Sequence, residues 1–487
     1  MADPSTAPAP VDVLIVGAGL SGIGAACRLR TEVPDARIAV LEARDASGGT
    51  WDLFRYPGVR SDSDMYTLGY DFRPWPGTAA LAGGAEILEY VRSTAAEYGI
   101  DDLIEYGRRV TSATWSGSSS LWTLTVTDAA TGAVTTRTCR FLYLCTGYYR
   151  YDEGYTPEWP GTDTYTGTIV HPQHWPADLE VSGKRIIVVG SGATAVTLVP
   201  ALARLGARVT MLQRSPSYVF SLPAHDAVAA LLSKVLPARA AYAAARWKNI
   251  RLSTAVYQLC RRHPERARAL LQAGVRRRLP ADFDVATHFT PPYEPWDQRM
   301  CLVPDSDLFK EIGSGGAQVI TDHIAAFTPT GLRLKSGVEL EADVVVTATG
   351  LNLLPLGGIE LDLDGEPLRI PEHVVYKGMM LDGVPNLVFA LGYTNASWTL
   401  KVDLVSAAFA RMLRYMRSWG LTIAVPRLPA GRMDTTPFIE MSSGYFERSR
   451  GLLPLQGDAA PWRLHQHYAK DARLLRGGPR DGAIEFS

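Results

Sequence analysis

A strand running into a glycine-rich turn and then into a helix occurs twice in this chain, and few folds accommodate that pattern. In the first copy, Val13-Leu-Ile-Val16 is a short apolar run of the kind that forms a buried parallel strand. It leads into Gly17-Ala18-Gly19-Leu20-Ser21-Gly22 and then a helix opening. The first glycine permits a tight turn, the second lets the backbone approach a pyrophosphate, and the third lets helix and strand pack closely. A further strand, Arg37–Leu41, ends at Glu42, and an acid about 20 residues past the glycines suits a ribose 2′-hydroxyl. The second copy runs from the strand Arg185–Val189 through Gly190-Ser191-Gly192-Ala193-Thr194-Ala195, with alanine in the third glycine position. Its next strand, Arg208–Leu212, ends in Gln213-Arg214-Ser215 and carries no acid. A guanidinium fork at Arg214 matches phosphate oxygens instead. The first site therefore reads as a place for FAD and the second as a place for NADPH rather than NADH, with Arg214 and Ser215 beside the 2′-phosphate.

The rest of the chain sets bounds. Its 487 residues exceed one simple core and imply two or three domains. A net charge of -1 gives no sign of a nucleic-acid partner. The five cysteines are scattered and form no Cys-x-x-Cys pair, which points to a reducing, cytoplasmic setting and away from a redox-active disulfide. No metal-ligand cluster is read. The first ten residues lack the basic and apolar parts of a signal peptide, and no apolar run is long enough to span a bilayer.

The expected architecture is α/β, with two Rossmann-like, three-layer ββα dinucleotide-binding domains and a helical insertion in the second. A flexible arm is expected at 1–10, the FAD-binding domain at 11–150 and 378–487, and the NADP-binding domain at 151–221 and 296–377. The strand Asp343–Thr347 with Ala348-Thr-Gly350 echoes Leu144-Cys-Thr-Gly147, as if one unit were built twice. The insertion, 222–295, reads as helical and basic, with Lys234, Arg239, Arg246, Lys248 and Arg251 among its cations. It is expected to cap a cleft, and its basic amphipathic surface also suits peripheral contact with anionic lipid.

Between the two turns lies Tyr165-Thr-Gly167-Thr-Ile-Val-His171-Pro-Gln-His174-Trp175-Pro176, which closely resembles the F-x-G-x-x-x-H-x-x-x-W-P signature of type I Baeyer–Villiger flavin monooxygenases. The segment from Gly48 through Thr50, Trp51, Asp52, Arg60 and Asp62 to Tyr66 resembles that family's flavin-site loop. Trp296-Asp-Gln-Arg299 resembles its active-site arginine loop, and Tyr393–Lys401 a segment on the substrate side. The resemblance implies an enzyme that converts ketones to esters or lactones through a flavin C4a-peroxide, using NADPH and O2, and that also oxidises sulfides or thioamides. It implies that Arg299, a permanent cation, faces the peroxide and the substrate oxyanion, that Asp62 holds Arg299 and lies near the flavin, and that the backbone at Val110 reads adenine. His171 is read as a hinge between the nucleotide lobes, with direct acid–base chemistry as the alternative. Trp51 and Tyr66 either line the flavin or fill the core. Two positions depart from the pattern. Gln298 stands where many family members carry lysine, so selectivity for NADPH would rest on Arg214 and Ser215. Tyr165 replaces phenylalanine and adds a hydroxyl in need of a partner. The competing readings are a heteroatom oxygenase with little ketone activity and a non-catalytic flavoprotein redox sensor. Neither the natural substrate nor the oligomeric state is readable from the sequence.

Overall fold

A computed structural model describes residues 9–77 and 79–487, so most of the arm expected at 1–10 lies outside the described residues. Strand β1 (Val11–Val16) sits inside the first sheet because it is apolar on both faces, with Val13, Leu14 and Ile15 essentially inaccessible. It runs into α1 (Leu20–Glu32), which crosses over to β2 (Ile38–Leu41), parallel to β1 with Val13 opposite Ile38. After the short helix α2 (Met65–Leu68) comes the expected hairpin, Arg108–Ser116 against Leu121–Asp128, with Trp115 opposite Trp122. It passes the chain to β3 (Val134–Leu144), which pairs with β1 on the side away from β2.

β4 (Tyr149–Gly154) carries the chain towards a second, all-parallel sheet. There β5 (Thr168–Val170) forms one edge, and β6 (Arg185–Val189), α3 (Ala193–Arg204) and β7 (Arg208–Gln213) repeat the first unit. The insertion follows as α4 (Ala227–Val235), α5 (Ala238–Arg262) and α6 (Pro264–Arg276). A parallel pair, Val219–Leu222 with Cys301–Pro304, closes its base. β8 (Ala317–Thr321) and β9 (Val344–Thr347) complete the sheet in the order β8-β7-β6-β9-β5. An antiparallel three-stranded sheet between Ile324 and Glu341 adds the third layer. Tyr165 packs there against Phe327, and its hydroxyl donates to the Ala342 carbonyl at 2.9 Å, which supplies the partner missing from the sequence reading.

β10 (Leu351–Leu353) pairs antiparallel with β4, so the two crossings between the lobes are zipped together. β11 (Leu387–Phe389) adds to β3, and the long helix α7 (Trp398–Trp419) packs on α1. The fold class is as expected, but the return to the first lobe comes earlier than residue 378. The strand Glu360–Leu363 already pairs with Arg108–Ser116, Glu360 opposite Ser112, and buries Ile359 and Leu361 in the first lobe's core. The hairpin's free edge is the physical reason: an unpaired edge recruits the next alternating apolar segment.

Nor is the insertion confined to the second lobe. Tyr242 and Ala245 of α5 join the core around α1. Between them and Asn249, Arg246 is buried and donates to the carbonyls of Tyr66, Thr67 and Gly69 at 2.9, 3.3 and 2.7 Å and to Asp403 at 3.3 Å. A guanidinium with three orphan helix-end carbonyls and one carboxylate around it is satisfied without water. Burial pushes the Asp403 carboxyl up, Asp71 adds to this, and Arg246 opposes it. Replacing Arg246 by methionine keeps much of the volume and strands those acceptors. The expected loss is about 3–5 kcal/mol, read as a lower urea midpoint with an unchanged slope.

Candidate active site

A cleft of about 990 Å³ runs between the lobes and is lined by both glycine turns. At the first turn Gly17 has φ +104°, and a Cβ there would stand 2.7 Å from the Cys145 carbonyl oxygen. Gly22 faces away from the cleft: its Cβ would collide with the Gly17 carbonyl at 1.8 Å, so its role is close packing. α1 starts after Gly19 with no side-chain cap and no acid in its first turn, so its N–H groups and positive dipole end are left for an anion. Ser21 lines the cleft and accepts from the Trp398 indole at 2.8 Å. Glu42, buried at the end of β2, accepts from the backbone of Ala18 at 2.7 Å and of Arg44 at 3.0 Å. Burial raises its pKa against those bonds.

The second turn repeats this geometry. Gly190 has φ +139° and abuts Ala348, and α3 starts uncapped after Gly192, where a Cβ would meet nothing within 4 Å. Ser191, Ala193 and Thr194 line the cleft, and the Ser191 hydroxyl donates to the Ser215 carbonyl at 2.9 Å. Arg214 lines the cleft from the end of β7. The backbone of Asp322 donates to Gln213 at 3.0 Å and that of Lys335 to His323 at 2.8 Å, which brings His323 and Lys335 to the same end of the cleft. These two were not singled out from sequence, because the strands that present them belong to the third layer rather than to a nucleotide fingerprint.

The flavin-type loop splits into several roles. Thr50, Trp51, Arg60 and Asp62 line the cleft, as does Val110. Thr50 shares a hydrogen bond with the Tyr151 hydroxyl at 3.1 Å. Arg60 forks onto Asp307 of the second lobe, with one bond of 2.6 Å. One expectation needs correction, and one of two open alternatives is selected. Asp52 does not face the cleft: its buried carboxylate takes guanidinium groups from Arg44, Arg55 and Arg92, so it anchors the loop from behind. Tyr66 is core, beside Tyr242.

Asp62 and Arg299 meet face to face across the lobes, with Nε–Oδ2 at 2.7 Å and Nη2–Oδ1 at 2.9 Å. Burial works against the guanidinium charge, but Asp62 and nearby tyrosines outweigh it and raise the Arg299 pKa above its ordinary value. Those tyrosines, Tyr148, Tyr149 and Tyr445, line the cleft with Trp398. Tyr148 and Tyr149 share a hydroxyl contact of 3.2 Å, and the Tyr148 ring lies 5.2 Å from Trp398. Burial raises all three hydroxyl pKa values, so they remain protonated. Sequence reasoning missed this aromatic wall. Tyr148 and Tyr149 directly follow the Thr-Gly that closes β3, a position that could have signalled them, whereas Tyr445 comes from a distant C-terminal segment and carries no local signal.

Helix α5 ties both halves of the pair together. Asn249 donates to Asp64 at 2.8 Å, two residues from Asp62, and three turns on Arg261 pairs with Asp297 at 2.7 Å, two residues from Arg299. Arg268 of α6 adds a bond to Glu294 at 2.7 Å.

His171 stands at the zipped crossing rather than in the cleft. Its Nε2 donates to the Gly350 carbonyl at 3.1 Å, its Nδ1 accepts from Gln173 at 3.2 Å, and the ring fills the space beside Gly154. The tautomer follows from those two partners.

The model of the family "Flavin-binding monooxygenase-like" matches residues 81–353, and that of an NAD(P)-binding Rossmann-like domain matches 15–73. The chain is 52% identical to the FAD-containing monooxygenase EthA of Mycobacterium tuberculosis, covering 97% of this chain and 96% of that one. It is 43% identical to the probable FAD-binding monooxygenase AlmA of an Acinetobacter species, covering 98% and 96%. An oxidised steroid monooxygenase bound to NADP superposes with a TM-score of 0.76 at 22% identity, covering 98% and 99% of the two chains. A structure of OTEMO in complex with FAD and NADP gives 0.76 at 20% identity, covering 99% and 100%.

Burial lowers the His171 pKa from 6.5, with the Gly350 bond opposing it, so the folded protein favours neutral imidazole. Its contribution to stability is therefore complete above that value and is lost as pH falls below it and through the lowered pKa of the folded state. Thermal melts from about pH 8 to about pH 5 should show the wild type losing more stability than His171→Gln, which keeps a side-chain donor but cannot titrate.

Proposed function

This chain belongs to the flavin-binding monooxygenase-like family and is an FAD-containing monooxygenase, and from that premise we propose that it is NADPH-dependent and of the Baeyer–Villiger type, converting ketones to esters or lactones and also oxidising sulfides or thioamides. The observation that carries this reading is the Asp62–Arg299 fork in the cleft between two uncapped helix N-termini. When bound, FAD would take hydride from NADPH and provide the reduced flavin at which O2, a separate co-substrate, is activated.

What the protein contributes is binding, orientation and charge. The N-terminus of α1 holds one pyrophosphate, and Glu42 accepts a hydroxyl of its ribose. Thr50, Trp51 and the Val110 backbone complete that site. The N-terminus of α3 holds the second pyrophosphate with Ser191, Ala193 and Thr194. Arg214 and Ser215 take the 2′-phosphate, with Lys335 and His323 at the same end of the cleft. Arg299 is a cation at every working pH and is held in a plane by Asp62. It stabilises negative charge that develops on the substrate carbonyl oxygen, and its value is greatest where water is excluded. Tyr148, Tyr149, Tyr445 and Trp398 offer an apolar wall to the substrate and exclude water from it. His171 couples movement of the second lobe to the first through the crossing strands. The five cysteines are buried and unpaired, and burial pushes the Cys301 thiol, close to Arg299, up to about 12, so none of them joins the chemistry. In this reading the enzyme works in a reducing, cytoplasmic setting and touches membranes only peripherally. No helix among the described residues is long and apolar enough to cross one.

The test is turnover of phenylacetone with NADPH under ¹⁸O₂. An ester carrying one heavy oxygen supports the proposal. NADPH oxidation that yields a sulfoxide from a sulfide but no ester from any ketone overturns it in favour of a heteroatom oxygenase. Arg299→Ala should lower kcat for ester formation by about 10²–10³, or roughly 3–4 kcal/mol, and leave flavin reduction by NADPH intact in stopped flow. Arg214→Ala should raise KM for NADPH about 10–100-fold, as expected for loss of a charge-assisted hydrogen bond, and leave KM for NADH unchanged.

A further inference from the structure

We propose that α4 and the outer face of α5 form a docking surface for an anionic lipid bilayer. This rests on the peripheral reading above and names the face and the lipid chemistry. Of the seventeen large hydrophobic residues exposed among the described residues, nine fall between Leu222 and Leu270, about a tenth of the chain. On α4, Val228, Leu231 and Val235 recur at i, i+3 and i+7, are 49%, 62% and 68% exposed, and share one face. On α5, Trp247 and Leu252 are 62% and 56% exposed. Tyr242, Ala245, Arg246 and Asn249 recur at i, i+3, i+4 and i+7 and turn one face of α5 inward, whereas Trp247 lies on the far side of the helix from them.

Charge selects the occupant. Residues 227–262 contain no acid. Of their cations, Arg246, Lys248 and Arg261 are paired with Asp403, Asp226 and Asp297. Lys234, Arg239, Arg251 and Arg262 have no carboxylate partner among the described residues and are exposed. Arg251 lies over the Trp247 ring at 5.1 Å. Tryptophan and aliphatic side chains flanked by unpaired lysine and arginine fit the headgroup boundary of a bilayer, where the rings enter the interface and the cations meet phosphates. A second copy of this chain fits worse, since a two-fold contact on this face would set its cations against one another.

The experiment is flotation of the FAD-loaded enzyme with vesicles of equal parts phosphatidylglycerol and phosphatidylcholine, and with vesicles of phosphatidylcholine alone. Wild type should float with the anionic vesicles, release in high salt, and stay behind with the neutral ones. The triple variant Leu231→Ser, Val235→Ser, Trp247→Ser, and separately Lys234→Glu with Arg239→Glu and Arg251→Glu, should each lose at least tenfold in bound fraction. Both should keep wild-type NADPH turnover on a water-soluble substrate, which shows that they are folded. Wild type that binds neither vesicle overturns both this proposal and the peripheral reading. Variants that float as well as wild type overturn the assigned face and leave peripheral contact standing. Equal flotation with neutral vesicles, or a wild-type dimer in gel filtration that the triple variant lacks, overturns the anionic-lipid occupant.

Discussion

The bidentate pair between Asp62 and Arg299 joins loops from different lobes, and the usefulness of the cleft depends on it. A lone arginine beside a half-dry cavity would turn to solvent, because its stem carries several rotatable bonds and its charge prefers water. The carboxylate fixes both direction and plane of the guanidinium through two parallel bonds. The same carboxylate offsets part of the cation's field, which is the cost of holding it still.

A pair that bridges two lobes is only as well placed as the lobes are. Two devices oppose relative drift. At one end β4 and β10 pair across the crossing, with His171 stapled to Gly350. At the other, α5 grips the Asp62 loop through Asn249 and Arg246 and the Arg299 loop through Arg261. Residues 249 and 261 are twelve positions apart, so about 18 Å of helix separates the grips. The segment 222–295, expected to cap a cleft, supplies none of the residues that line the cleft between the glycine turns and acts here as a strut. Its bonds to the first lobe are buried whereas Arg261–Asp297 is partly exposed, so the strut is rooted on the flavin-type loop and holds the arginine loop more lightly.

Those differences also explain what could be read from the sequence. The two glycine turns were legible because backbone sterics allow few residues there: a Cβ on Gly17 or Gly190 would overlap a carbonyl of the neighbouring strand. The strands around them were legible from continuous apolar runs. The early return of the chain at Glu360–Leu363 was not, because four alternating residues on a sheet edge look like any loop with two leucines. Asp52 misled for a related reason. It sits in a segment that faces the cleft, and only the fold shows that Arg44, Arg55 and Arg92 approach it from the other side. Arg246 looked like one of a dozen surface cations, and nothing local distinguishes a guanidinium whose acceptors lie at residues 66–69 and 403.

Gln298 shows how a substitution at one position can be met elsewhere in the fold. A cation directly before Arg299 would come from the same loop as the reacting group, so movement of that loop would move the phosphate contact too. Here the cations at the far end of the cleft come instead from the end of β7 and from the third-layer sheet, where Asp322 bonds to Gln213 and Lys335 to His323 through the backbone. Both contacts are made within the second lobe. A nucleotide held by Arg214 and Lys335 would then travel with that lobe while the Arg299 loop keeps its grip on Asp62. Under the proposed function, placing the two tasks on different segments would let the nucleotide contact and the Asp62–Arg299 contact be made independently of each other.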